Sequence, residues 1–380
     1  MSRAQLMSTY AEPPVTFVRG AGTYLYDDTG KEYLDFLSGL AVTSLGHAHP
    51  KVTAAIAEQA ATLSHVSNLF GNTLGPSVAA TLDELLGGGG QVFFGNSGAE
   101  ANECAIKLAR LAGGRGKHVV ISAFGSFHGR TLATLHATGQ PAKHEKFQPL
   151  PEGFVHAAAF DLADVERLMD ASTAAVLIEV VQGEGGVFPA PEGYVRDLRA
   201  LCDERGVLLI VDEIQTGLAR TGEWFGFQHS GIRPDIVTMA KALGNGMPIG
   251  ACWARAEVAS VFEPGDHGST YGGQPLACAA VRATLDELIA IDAPALARRA
   301  GERLASGLEN TPGVSAVRGL GLLLGAELVE GNAKAINKAL LDAGLVVNAV
   351  TDTALRFAPP LNVSDDEIDS ALAVLKEVLA

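Results

Sequence analysis

Lys241 follows the apolar run "DIVTMA" inside "PDIVTMAKALGNGMPIG" (residues 234–250), where it is the one basic side chain. Burial penalises an ammonium, so a lysine in such surroundings is driven toward the neutral amine. A neutral amine is a nucleophile and condenses with an aldehyde to give an imine. The competing reading is a stem that packs while its ammonium reaches water. The glycines that follow are expected to turn the backbone away, so that the amine faces a bound group. Asp212 sits in "VLLIVDEIQTGLARTG", directly after five apolar residues. A carboxylate at the carboxyl end of a buried strand needs a cationic or N–H partner. A nucleotide-binding aspartate would look alike, but neither Gly-Lys pair in the chain precedes Ser or Thr, so the matching phosphate loop is missing.

Four further stretches carry chemistry. In "VFFGNSGAEANE" a strand ends, small residues follow and a helix begins. The N–H groups near Ser97, Gly98 and Ala99 make an anion site there, and a phosphate is the expected guest. A plain Ser-capped helix would read the same. "FGSFHGRTLAT" holds Phe127, His128 and Arg130: a stacking face beside a carboxylate fork. "IEVVQGEGGVF" puts Glu179, Gln182 and Glu184 at a strand end and in its loop, as gate or acid–base groups or as turn caps. "HGSTYGGQPLACAA" places Ser269 and Thr270 ahead of a helix, a second phosphate edge or a simple cap.

Together these groups answer the needs of one cofactor. Pyridoxal phosphate has an aldehyde for a lysine, a ring nitrogen for a carboxylate, a ring face for an aromatic and a phosphate for helix N-termini. The chain has no GxSxG, no HExxH and no Cys/His cluster with metal spacing, so no metal is expected.

The elements that must position these residues follow from apolar patterning. From residue 91 onward, short buried-strand runs alternate with helical stretches: "QVFF", "HVVIS", "AAVLIEV", "VLLIVDE" and "DIVTMA" are the strands. That order predicts an α/β fold with a mostly parallel sheet, whose ligands gather at strand carboxyl ends. Before it, "TYLYDDTGKEYLDF" reads as a hairpin and residues 50–62 as a helix opened by Pro50. After residue 310, shorter strands, a helix over about 333–343 and a last helix capped by Ser364 with Glu367 predict a smaller α+β part. The expected organisation is an arm over 1–50 packing with the small domain, a large cofactor domain over 51–290 and a small domain over 291–380.

The chain of 380 residues carries a net charge of −15, with 47% hydrophobic and 19% charged residues. This suits a soluble globular protein and argues against a general nucleic-acid binder. No apolar run reaches the length of a membrane span, and residues 1–14 lack the apolar core of a secretion signal. The four cysteines are scattered, which points to reduced, buried thiols and a cytoplasmic setting.

"NSGAEANECAIKLAR", "FHGRT", "QGEGG", "VDEIQTGLARTG", "MAKALGNGMPIGA", "HGSTYGGQPLACAA" and "LRFAPPLNV" resemble the class III (ω-amino) pyridoxal-phosphate aminotransferases of fold type I. The likeness runs from "GTYLYDDTGKEYLDF" to the end and is most similar to the acetylornithine aminotransferases. The resemblance implies Lys241 as the lysine joined to the cofactor and Asp212 as the partner of its ring nitrogen. It adds Ser97, Gly98, Ala99, Phe127, Glu213, Ile214, Gln215 and Thr270 to the cofactor set, with Thr270 serving the partner subunit of a homodimer. Arg130 and Ser269 fall at substrate positions. Glu184 and Arg356 match a pair that gates between the amino donor and glutamate. Two residues depart from the pattern: Ala99 stands where Thr is usual, and Gln274 where Asn is expected. The implied substrates are acetylornithine and 2-oxoglutarate. Ornithine, succinylornithine and 4-aminobutyrate remain open as donors, as do an aminomutase and a non-catalytic cofactor binder.

Overall fold

The structure, a computed structural model, describes residues 5–380. The first four residues of the segment expected over 1–50, also part of the stretch read for a secretion signal, lie outside the described residues.

A seven-stranded sheet forms the centre. Its order is Gly90–Gly95, Gly250–Arg255, Ile236–Met239, Leu208–Asp212, Thr173–Ile178, Val119–Ala123 and Phe154–Ala157. Every strand is parallel to the rest except Gly250–Arg255, which runs antiparallel to both neighbours. Thr173–Ile178 and Ile236–Met239 are buried along their whole length, as a sheet covered on both faces requires. Leu177, Ile210 and Ile236 pack toward the 98–113 helix side with Cys104, Ile106 and Leu108. Val176, Val211 and Val237 belong to the larger core on the other side, with Leu198 and Leu285. Successive residues of one strand thus feed different cores, the period-two alternation of a pleated strand.

A second sheet, Val314–Leu320, Leu323–Leu328, Ala354–Phe357 and Asn348–Ala349, forms the smaller C-terminal unit with helices Ala333–Asp342 and Asp365–Leu379. Ser364 and Glu367 make the expected reciprocal cap of the last helix. The N-terminal strands Phe17–Ala21, Tyr24–Asp27 and Glu32–Asp35 share a third sheet with Leu345–Val346. All four cysteines are free and buried. Among the described residues no helix is long and apolar enough to cross a membrane.

Two strands of the central sheet escaped the sequence reading, Phe154–Ala157 and Gly250–Arg255. The first is four residues long. The second, "GACWAR", opens on a glycine for a packing reason: a Cβ at Gly250 would lie 2.2 Å from the Ser97 carbonyl oxygen. The strand must start without a side chain for the Ser97 turn to sit over it.

Candidate active site

The carboxyl ends of the parallel strands surround a cavity of about 390 Å³, within the range of small-molecule sites. Its walls come from six places in the chain: Val42; Asn96 to Ala99; Phe127 to Arg130; Glu179 and Glu184; Asp212, Ile214 and Gln215; and Ala240 and Lys241 with residues 246–249. Each of these segments follows a strand or the N-terminal sheet, so the frame of the sheet fixes the cavity.

Lys241 is half-buried and lines the cavity. Its amine makes no hydrogen bond or ion pair among the described residues. Burial, and then the Arg356 charge, lower its pKa to about 8, while Asp212, Glu184 and Glu179 pull it back. The backbone bend that aims it is carried by Lys241 itself, with φ 42°, and by Asn245, with φ 44°, as well as by Gly246. The expected glycine turn is therefore only part of the device. Left-handed non-glycine residues are uncommon and collect at functional sites. Asn245 is held in place by accepting from the Leu45 N–H at 2.9 Å.

Asp212 is 3% exposed and anchored by three donors. Oδ2 accepts from His128 Nδ1 and Asn102 Nδ2, both at 2.8 Å, and Oδ1 accepts from the Ile214 N–H at 3.0 Å. Thr238 Oγ1 donates to Asn102 Oδ1 at 2.8 Å, which fixes which end of that amide faces the carboxylate. A carboxylate has about four acceptor positions. One remains toward the cavity, suited to a cationic N–H.

Glu179, 8% exposed, accepts the Phe127 N–H at 3.0 Å and so pins the aromatic loop. Burial raises its pKa to about 7. Across the cavity, Arg356 donates from Nη1 to Glu184 Oε1 at 2.8 Å and to Gln215 Oε1 at 3.3 Å, and from Nη2 to Asn348 Oδ1 at 2.8 Å. Burial works against the Glu184 charge, but Arg356 outweighs it and its pKa ends below normal.

At the helix Gly98–Gly113, Ser97 Oγ accepts from the Glu100 N–H. The N–H groups of Gly98 and Ala99 have no partner within the helix and border the cavity. A Cβ on Gly98 would lie 2.7 Å from Ile214 Cδ1, so any side chain there would push Ile214 from its place. An open amine, a carboxylate short of one donor, an aromatic wall and two free N–H groups at a helix start together fit pyridoxal phosphate.

The structure gathers Lys241, Asp212, Ser97, Gly98, Ala99, Phe127, Ile214, Gln215, Arg130 and Glu184 around this cavity, with Arg356 behind Glu184. It does not bring in Glu213, Ser269 or Thr270. Glu213 is turned into the protein, accepting from Gly226 N, Phe227 N and Thr216 Oγ1. Adjacent residues at a strand end point opposite ways, so Asp212 and Glu213 cannot both face the cavity. Ser269 and Thr270 border a separate surface hollow beside Asn96, Glu100 and His267. Asn102, Thr238 and Asn348 were missed by sequence reasoning. Their polar side chains lack a local signal: Asn102 and Thr238 act through residues more than 100 positions away, and Asn348 acts through Arg356, its cross-strand neighbour.

A family model, Aminotransferase class-III, matches residues 7–379. The acetylornithine aminotransferase of Aquifex aeolicus is 48% identical over 377 residues, covering 98% of this chain and 99% of its own. The solved structure of N-acetylornithine aminotransferase from Stenotrophomonas maltophilia superposes with a TM-score of 0.86 at 37% identity, covering 98% of this chain and 97% of that one. An amine transaminase from an uncultivated Pseudomonas species, solved in its PLP-bound form, gives a TM-score of 0.91 at 28% identity, covering 98% and 97%.

Proposed function

The chain belongs to the class-III aminotransferases, and from that premise we propose that it moves the terminal amine of N2-acetyl-L-ornithine to 2-oxoglutarate. The products are N-acetyl-L-glutamate 5-semialdehyde and L-glutamate, a step of arginine synthesis in the cytoplasm. The enzyme is pyridoxal-phosphate dependent, with the fold type I architecture. When bound, the cofactor supplies an aldehyde that joins amines and a cationic ring that draws off the electron pair freed as a carbon–hydrogen bond breaks.

The residues divide the remaining work. Gly98 and Ala99 would offer N–H groups to the phosphate, Phe127 and Ile214 would provide apolar walls for the ring, and Asp212 would pair with the protonated ring nitrogen. His128 and Asn102 hold the Asp212 carboxylate in its aim by donating to Oδ2. Gln215, on the cavity wall, would serve the ring's oxygen substituent. Arg130 takes the donor's α-carboxylate, which leaves the terminal amine to reach into the cavity. The Lys241 amine would then carry a proton from the carbon bearing that amine to the cofactor's aldehyde-derived carbon on the far side of the nitrogen. For the second half of the reaction Arg356 leaves Glu184 and binds the distal carboxylate of 2-oxoglutarate.

The observation that carries this reading is the pairing, in one cavity, of the unpartnered Lys241 amine with Arg130 on the wall, which forms no ion pair among the described residues. The relatives' names support the donor. The test is the ratio of kcat/KM for acetylornithine, succinylornithine, ornithine and 4-aminobutyrate with 2-oxoglutarate. Acetylornithine is expected to lead; ornithine or 4-aminobutyrate leading tenfold would reject the assignment. Lys241→Ala should lose on the order of 10⁴-fold or more in kcat while folding normally.

A homodimer is part of the proposal. Thr270 is exposed outside its own chain's cavity, next to exposed Tyr271. Leu69 and Phe70 are 86% and 71% exposed, and Asn68 ties their segment to the Ser269 and Gly272 carbonyls. A surface this apolar favours a protein partner, and Thr270 would then reach the phosphate of the second copy. Mass measurement in solution tests this, with a monomer as the result against it.

A further inference from the structure

Lys143 lies outside every motif used above, yet it stands beside Phe127, whose ring walls the cavity next to Arg130. Its Nζ is 5.1 Å from the centre of the Phe127 ring, and the Arg130 guanidinium carbon is 5.5 Å from the same centre. Two cations therefore share one aromatic ring. Gln140 tethers the amine: its side-chain oxygen accepts from Lys143 Nζ, while its Nε2 donates to the Ser126 carbonyl at 3.0 Å. Neither Lys143 nor Arg130 has a carboxylate partner within ion-pair distance among the described residues. Burial and then the Arg130 charge hold the Lys143 amine below its usual range, while Glu184 pulls it up. The pair is thus a concentrated positive site with no carboxylate in direct contact among the described residues, and Glu184 acts on it only from farther off.

We infer that Lys143 is the second cation of the donor site and selects donors whose α-amino group is acylated over those that carry it as a free ammonium. The inference rests on the proposed reaction, in which Arg130 receives the α-carboxylate. A free amino acid brings its α-ammonium to within a few ångström of that carboxylate, hence toward two cations, and like charges at that range repel. Acylation removes the charge and adds a carbonyl oxygen that accepts from the Lys143 ammonium, a charge-assisted hydrogen bond. The device is specificity by repulsion as well as by attraction.

The test uses the holoenzyme and N-acetyl-L-norvaline, which keeps the carboxylate and acyl amide of the donor but lacks the reacting amine. Calorimetry should show Lys143→Met binding it about tenfold more weakly, with Lys143→Arg restoring most of the affinity. In turnover, Lys143→Met should raise KM for acetylornithine with little change in kcat, while kcat/KM for ornithine rises. Unchanged binding of N-acetyl-L-norvaline, or equal losses for acetylornithine and ornithine, would overturn the assignment of Lys143. If the wild-type enzyme itself prefers ornithine, the proposed donor and the Lys143 assignment fall together. If it prefers acetylornithine and the preference survives Lys143→Met, only the Lys143 assignment falls.

Discussion

Arg356 and Arg220 are both buried, at 1% and 0% exposure, and each leaves its Nε without a partner. Their surroundings differ in kind. Arg356 faces one carboxylate and two side-chain amides, all on groups that can rotate away. Arg220 has no carboxylate partner among the described residues: Nη1 donates to the Leu322 and Pro359 carbonyls and Nη2 to Ser44 Oγ at 3.0 Å. Burial alone lowers its pKa to about 9. Backbone carbonyls cannot leave, so Arg220 ties the 44 region, the 322 region and the 359 region to the large sheet permanently. Arg356 is placed where its partner can be exchanged for a substrate carboxylate. A buried cation paired with mobile side chains is poised to act; one paired with backbone is a rivet.

Removing the rivet should give the largest effect. Arg220→Met strands two carbonyls and a hydroxyl in a dry interior, each costing about 1–3 kcal/mol. A loss of about 3–5 kcal/mol in chemical denaturation is expected, with near-normal kcat per folded molecule. A stable Arg220→Met protein with collapsed activity would erase the distinction between the two arginines.

Arg356→Met should do the reverse. Loss of a charge-assisted pair to the substrate's distal carboxylate is expected to raise KM for 2-oxoglutarate about 100-fold, with the melting temperature little changed. The donor half-reaction, followed by the cofactor's absorbance in a single turnover, should suffer much less. Equal damage to both halves would argue against an exchangeable partner.

Asn348→Ala sharpens the point, because Asn348 Oδ1 holds the Arg356 Nη2 group. Arg356 keeps Glu184 and Gln215, so only its aim is loosened, and KM for 2-oxoglutarate should rise about fivefold. The sequence offered Glu184 and Arg356 as a pair through family resemblance, but Asn348 had no such marker. The same division holds elsewhere in the site. Lys241 and Asp212 were legible because a charge after an apolar run is costly and therefore informative. The Asn102–Thr238 support of Asp212 was not, because two polar residues 136 apart in sequence meet only through the sheet. His128 read as structural alone and became a partner of Asp212 only in three dimensions. Of the fold, the long apolar strands and capped helices were readable; the "GACWAR" strand was not, since its opening Gly250 answers to the Ser97 turn above it.

The finest difference between the two arginines is electrostatic. Arg356 is the second cause, after burial, of the low Lys241 pKa, whereas Arg220 does not figure among its causes. The amine captures pyridoxal phosphate in its neutral form, so capture by the apoprotein should speed up with pH and level off above about 8. Removing the Arg356 charge lets the ammonium persist to higher pH. In Arg356→Met the capture profile should move upward, slowing the reaction roughly threefold at pH 7.5, while in Arg220→Met the midpoint stays in place. Stability carries the same sign. With its pKa lowered by folding, Lys241 binds fewer protons in the folded apoprotein than in the unfolded chain between about 8 and 10.5, so the apoprotein gains stability as pH rises through that window. Arg356→Met narrows the window from its lower edge. Glu179, raised to about 7 by burial, titrates in the same cavity, so the profiles are best compared in a Glu179→Gln background. An identical shift in the Arg220 and Arg356 variants there would mean that the cavity senses general loosening and not the nearby charge.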